Sequence, residues 1–340
     1  MLFKYYISCL VSILQRRIIT SLKYSQNRLK KQAPYLVHGE RAFHDQIPYI
    51  VSLKISHKKD NETLLWNNYC VGSIIGMTKV LTAAHCFEHN KYFLAKHLDL
   101  LRAVAGNLQS NVKHDPDPDS TLFSQWRLIS KLIIHNKFFF PENDIALVFV
   151  ENPWIYNTYV SPIKLPKTSI DLNSKWCCFA TGYGSSGSDL NSKSTVLEIA
   201  PVSIMSKENC SYVFDLNMNK FVCSNTHITD ETWTDSGGPL VCMNYETHAN
   251  HEGILTGIVS GRNSDNTTLY TRVSKFMSFI NNAHKLYVNI LLLIILCVVV
   301  YLGFILFFCI QNLKLVFTTK LNVYLALFGL RSVLMSFRYR

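Results

Sequence analysis

Residues Tyr287 to Ile310 form an apolar run with no charged residue, interrupted only by Asn289 near its start and flanked by Lys285 and Lys314. Coiled as a helix, the run is long enough to cross a hydrocarbon core of about 30 Å. A buried core helix of this length would carry more polar interruptions. The run therefore divides the chain: the residues before it fold on one side of a membrane, and the residues after it lie on the other. A glycolipid-anchor signal would end in its hydrophobic tail, whereas this chain continues through Lys314, Lys320, Arg331, Arg338 and Arg340. The positive-inside rule places those cations in the cytoplasm and the preceding domain outside or in a lumen. Four segments are expected: 1–35, a signal peptide and short pro-segment; 36–284, a folded domain; 287–310, a transmembrane helix; 311–340, a basic cytoplasmic tail. In that tail the apolar stretch Val323–Leu330 is too short to span.

The charge agrees with this division. The formal charge of +11 reads at first as a nucleic-acid signal, but all 23 acids lie in the middle domain, and the two ends hold 13 of the 34 Lys and Arg residues. The middle is left close to neutral, and the basicity belongs to segments beside apolar runs. Nucleic acid is not an expected partner; a membrane is. Ten cysteines, none in a C-x-x-C pair, argue against zinc and for an oxidising compartment. No metal and no cofactor is expected.

At the start, Lys4 precedes the apolar stretch Tyr5–Leu14 and Arg16-Arg17 comes after it, which is signal-peptide length rather than spanning length. From Leu36 to His284 short apolar runs such as Tyr49–Ile55, Val71–Ile75, Ala146–Val150 and Ile254–Val259 alternate with Gly, Asn, Asp and Pro clusters. That texture is all-β.

Three separated motifs carry chemistry: Leu81-Thr-Ala-Ala-His85-Cys86, Asn143-Asp144-Ile-Ala-Leu-Val148 and Asp235-Ser236-Gly-Gly-Pro-Leu240. A serine hydroxyl attacks an amide only if a base takes its proton, and a neutral imidazole suits that task near pH 7. The imidazole needs a buried carboxylate to fix its tautomer and stabilise its cation. Glycines after the serine permit a tight turn that exposes the hydroxyl and aims a backbone N–H at a developing oxyanion. Alone, each motif could be structural: a histidine before a cysteine, a turn aspartate, a surface Asp-Ser-Gly-Gly. Together, in this order and in a β-rich extracytoplasmic domain, they are a poor match to chance.

The motifs resemble those of the chymotrypsin- or trypsin-type (S1) serine proteases, over roughly Leu36 to His284. The resemblance implies two six-stranded antiparallel β-barrels with His85, Asp144 and Ser236 as a triad between them. It implies disulfides Cys70–Cys86, Cys178–Cys242 and Cys210–Cys223, with Cys177 left over and free to exchange roles with Cys178. The family's usual bridge beside the nucleophile is missing at both ends, with Thr232 at one of them. The implied partners are a protein or peptide substrate and a protein inhibitor.

Other positions depart from the family. The pocket-base residue is Asp230, an acid that would pair with a substrate Lys or Arg. The wall that usually reads Ser-Trp-Gly reads Ser260-Gly261-Arg262, and Thr268 stands where a small Gly is usual. Thr268 narrows the slot, and Arg262 can reach Asp230 and neutralise it from within. The oxyanion hole would use the backbone N–H groups of Ser236 and Thr234, the latter normally on Gly; losing such a donor costs about 2.7–4 kcal/mol, and a misaligned one less. Activation would cut between Tyr35 and Leu36 and pair the new amino group with Asp235. Tyr35, in place of Arg or Lys, predicts an activator that prefers aromatic residues. Sequons at Asn61, Asn209 and Asn266 fit a luminal route. Two readings result: a membrane-anchored serine endopeptidase (hydrolase) with a weak preference for basic residues, or a catalytically impaired homologue acting as a membrane-tethered binding protein.

Overall fold

A computed structural model of the chain describes residues 40–43, 45–58, 64–109, 111–112, 124–167, 172, 176–183, 196–225, 236–244, 253–263 and 267–336. Up to residue 276 the regular structure is mostly strand. The apolar runs there are rich in β-branched residues and are broken by turn residues before a helical face can build up. The strands are β1 (Glu40–Arg41), β2 (Ile50–Lys58), β3 (Leu64–Gly76), β4 (Lys79–Thr82), β5 (Leu101–Ala105), β6 (Asn111–Val112), β7 (Gln125–Ile134) and β8 (Ala146–Val150). They continue with β9 (Trp176–Gly182), β10 (Glu198–Ile204), β11 (Phe221–Asn225), β12 (Pro239–Asn244), β13 (Ile254–Arg262) and β14 (Thr267–Arg272).

These strands close into the two six-stranded antiparallel barrels expected. The first runs β2-β5-β7-β8-β4-β3 and closes by β2–β3 pairing, with β6 as a short addition to β3. The second runs β10-β11-β14-β13-β12-β9 and closes by β10–β9 pairing, with β1 added to β10. Closure leaves each barrel an interior to fill with inward-facing side chains. On the strands of the first barrel, Trp66 and Trp126 meet edge to face, with ring centroids 5.8 Å apart, against Val104. Lys54 of β2 is also fully buried; its Nζ donates to the Gln109 carbonyl at 2.8 Å, and burial pushes its ammonium down to about 7. In the second, the Cys178–Cys242 disulfide lies among Val222, Leu240, Val259 and Tyr270.

All three expected disulfides are formed: Cys70–Cys86, Cys178–Cys242 and Cys210–Cys223. Cys177 corrects one expectation. It is disulfide-bonded too, so it is not the leftover thiol that the resemblance implies. Because side chains alternate along β9, Cys177 and its neighbour Cys178 point to opposite faces, and the two oxidised residues do not compete for one partner.

Among the described residues before the carboxyl end the α-helices are α1 (His89–Lys96) and α2 (Lys207–Phe214), the latter capped by Ser206, whose Oγ accepts from the Asn209 N–H. The chain divides into a unit Met1–Phe279 and a unit Ile280–Arg340. Helix α3 (Met277–Ser336) is continuous. Within it Leu296–Lys314 is long and apolar enough to cross a membrane, and its side chains are exposed. That window begins nine residues later than the run at 287, where the side chains lie outside the described residues. The helix also carries on through Val323–Leu330, which reads from sequence as a separate short stretch.

Candidate active site

Strand register brings His85 to Asp144. In the β4–β8 ladder Leu81 faces Leu147 and Thr82 faces Ala146. Three residues past Thr82 the chain turns into a single 3-10 turn, His85–Phe87. Two residues before Ala146 stands Asp144. The ends of the paired strands therefore place the two side chains together. The backbone N–H of His85 donates to Asp144 Oδ1 at 2.9 Å, and His85 Nδ1 lies 2.7 Å from Asp144 Oδ2. Asp144 is fully buried, whereas the His85 side chain keeps 16% of its surface exposed. Facing a carboxylate, Nδ1 carries a proton and donates it, which leaves Nε2 as the acceptor in the neutral ring.

The second barrel completes the carboxylate's surroundings. Ser260 Oγ donates to Asp144 Oδ2 at 2.5 Å, and Thr271 Oγ1 donates to the Asp144 carbonyl at 2.9 Å. A buried charge without partners would cost several kcal/mol, and these donors offset that cost. Just before it, Asn143 adopts φ +56°, a left-handed conformation that Asn tolerates better than most residues. Its Nδ2 donates to the Lys137 carbonyl at 2.7 Å, and its Oδ1 accepts from Lys220 Nζ at 3.0 Å. Lys220 also reaches Glu142 Oε2 at 3.1 Å.

Ser236 lies in the turn before β12, half-buried. Its carbonyl accepts from the Val71 N–H at 2.8 Å, and the sulfur of Cys86, next to His85, is 3.8 Å from the same oxygen. Gly237 explains why the turn can sit so close. Its φ is +79°, and a Cβ there would collide with Thr82 Oγ1 and the Val71 carbonyl. Only glycine lets the serine's turn press against the end of β4. The other side of the turn is fastened to β13, with Gly237 N donating to the Val259 carbonyl and Val259 N donating to the Gly238 carbonyl.

Of the other expected residues, Ser260 is buried, with its hydroxyl directed at Asp144. Arg262 is half-buried at the end of β13, in register with Thr268, which is fully buried. Asn209 is exposed on α2. Tyr35, Leu36, Asn61, Asp230, Thr232, Thr234, Asp235 and Asn266 lie outside the described residues. The His85–Cys70–Cys86 trio has the proximity of a metal site, but its two sulfurs are bonded to each other. Sequence reading missed Thr271, Lys220 and Phe140. The first two carry no local signal, because their partners are far away in the chain. Phe140 stands out only as part of the run Phe138-Phe139-Phe140; its ring meets the His85 ring edge to face, centroids 5.8 Å apart.

Two closed antiparallel barrels, a histidine and a buried aspartate joined between strand ends, and a Ser-Gly-Gly turn pressed against them narrow the choice of family. Residues 36–280 match the family model described as Trypsin, and the chain belongs to that family of serine peptidases.

Proposed function

We propose that the chain is a membrane-anchored serine endopeptidase in which Ser236 is the nucleophile, His85 the general acid and base, and Asp144 the residue that orients the imidazole. The observation that carries this reading is the doubly bonded His85–Asp144 pair, 2.7 Å between Nδ1 and Oδ2, with the carboxylate fully buried. With Nδ1–H fixed on Asp144, Nε2 is free to take the Ser236 proton as Oγ attacks the substrate carbonyl carbon. The imidazolium, stabilised by the carboxylate, then returns that proton to the leaving amine as the C–N bond breaks. Water repeats the cycle on the acyl-enzyme, releasing the acid and restoring Ser236. The backbone N–H groups of Ser236 and Thr234 receive the oxyanion.

Asp230 gives the pocket a weak preference for Lys or Arg side chains. Maturation cuts after Tyr35, and the Leu36 amino group pairs with Asp235. The three disulfides suit an extracellular or luminal domain, with the apolar part of α3 as its anchor. The alternative, a catalytically impaired homologue that binds partners through its cleft, is favoured by the buried Thr268 alongside Arg262. One labelling experiment separates them. The full-length chain, cleaved so that Leu36 is its amino terminus, is treated with a fluorophosphonate probe. Labelling that disappears in Ser236→Ala supports the enzyme; folded protein that stays unlabelled supports the binder. Amino-terminal sequencing of the mature form that finds a start other than Leu36 would refute the activation site.

A further inference from the structure

Asp144 belongs to the first barrel and Ser236 to the second, so the groups that span from one barrel to the other set how the carboxylate stands. Ser260 Oγ donates to the Asp144 carboxylate, and Thr271 Oγ1 donates to the Asp144 carbonyl at 2.9 Å. Lys220 reaches further back along the loop: its Nζ donates to Asn143 Oδ1 at 3.0 Å and to Glu142 Oε2 at 3.1 Å. These three grips come from neighbouring strands. Phe221, the residue after Lys220, is in register with Thr271 in the β11–β14 ladder, and β14 pairs with β13, which carries Ser260.

Asn143 is where a grip from outside the loop has most effect. Its φ of +56° is costly for a residue with a side chain and persists only where the surroundings hold it. Both ends of its amide are engaged, Nδ2 with the Lys137 carbonyl of its own loop and Oδ1 with Lys220 of the other barrel. A rotation at Asn143 would swing the next residue, Asp144, away from His85 Nδ1, which stands 2.7 Å from Oδ2. The base of Lys220 is itself fixed. It ends the 3-10 turn Met218–Lys220, in which Met218 is buried. Asn217 Oδ1 caps that turn by accepting from the Asn219 N–H at 3.1 Å, and Lys207 Nζ donates to Asn219 Oδ1 at 2.6 Å. Just beyond, the Phe221 carbonyl accepts from Arg272 Nε at 3.1 Å and Nη2 at 3.0 Å. The same loop touches β13, where a Cβ built on Gly261 would lie 3.3 Å from Phe140 Cζ.

The Lys220 and Glu142 side chains keep 45% and 37% of their surface exposed. An ion pair this open to water adds little to stability, so what it supplies is geometry. We propose that Lys220 is a positioning residue for catalysis: by holding Asn143 and Glu142 from the second barrel, it keeps the Asp144 carboxylate aimed at His85 Nδ1. The proposal rests on the peptidase reading, since it is the turnover step that the aimed carboxylate serves.

The test uses the full-length protein matured at Leu36, in detergent, with a fluorogenic peptide amide of Arg. Lys220→Met should lower kcat by about 10-fold while KM stays within about 2-fold, less than the roughly 100-fold that a misplacement of about 1 Å can cause. Lys220→Arg, which keeps a cation with several N–H donors, should bring kcat back to within about 2-fold. The denaturation midpoint of Lys220→Met should not move. Asn143→Gly accepts the same backbone angle but leaves Lys220 nothing to hold at that residue, so it should reproduce the loss in kcat; it decides the matter if Lys220→Met does not fold. Proton NMR of the same proteins reads the site without turnover. The far-downfield signal of the His85 Nδ1 proton, donated to Asp144, should broaden or disappear in Lys220→Met and persist in Lys220→Arg. An unchanged signal or an unchanged kcat in Lys220→Met overturns the proposal, and so does a loss that Lys220→Arg shares or that tracks a lowered midpoint. If the unmutated protein turns over no peptide, the peptidase reading fails by itself, and the NMR signal alone decides whether Lys220 positions the pair.

Discussion

The strands of the first barrel bury two tryptophans and a lysine; in the second, a disulfide sits among Val222, Leu240, Val259 and Tyr270. The two barrels share strand number and closure, so strands that bury quite different side chains can close in the same way. What the barrels contribute to the site differs as sharply. His85 and Asp144 come from the first; Ser236, Ser260 and Thr271 come from the second. The first barrel also carries a disulfide, Cys70–Cys86, but its buried lysine makes it the pH-sensitive one, while the site depends on the seam where Gly237, Ser260 and Lys220 touch the opposite barrel.

Four perturbations probe that contrast. The largest effect belongs to the seam. Asp144→Asn should lower kcat by about 10⁴-fold, because the amide favours the wrong imidazole tautomer. Retained activity would show that the pair is structural. Next, Gly237→Ala should cost about 3 kcal/mol of stability, from its positive φ and from the overlap with Thr82 and Val71. Denaturant titration would measure this, and a loss under about 0.5 kcal/mol would mean that the barrels are less tightly seated.

Within the second barrel, replacing Cys178 and Cys242 together by Ala should cost about 2–4 kcal/mol. Hydrogen exchange should show the loss in β9, β12 and β13 while Trp66 and Trp126 in the first barrel keep their protected neighbours. Equal loss in both barrels would erase the contrast. The smallest effect concerns Lys54. Burial lowers its ammonium from 10.5 to about 7. Between those values the unfolded chain holds a proton that the folded chain has released, so stability rises with pH across that window and is flat below about 7. From pH 7 to 9 the gain should be about 2 kcal/mol, and Lys54→Met should remove it. Denaturation midpoints at several pH values decide this; a Lys54→Met profile that still rises would assign the slope to another group.

How far the sequence reached depended on the range of each interaction. The strand texture of 36–284, the apolar run and the three chemical motifs are local patterns, and each was readable. The disulfide partners came from family likeness, yet Cys177 shows where likeness stops, since an extra oxidised cysteine has no counterpart to copy. The hydrogen bond from the Ser260 hydroxyl to a carboxylate 116 residues earlier was not legible, because no local pattern links the two residues.

The sequence by itself determined the residue types that can perform acyl transfer, the turn glycines that allow a serine to project, and an apolar helix long enough to cross a membrane. These properties reside in neighbouring residues, so they survive without knowledge of the fold. Only the tertiary structure decided that Asp144 is saturated with donors from both barrels, that Lys220 braces the loop before it, and that Phe140 meets Gly261. Such contacts depend on the register in which distant strands pair, and a shift of one residue in β13 or β14 would turn Ser260 or Thr271 to the opposite face.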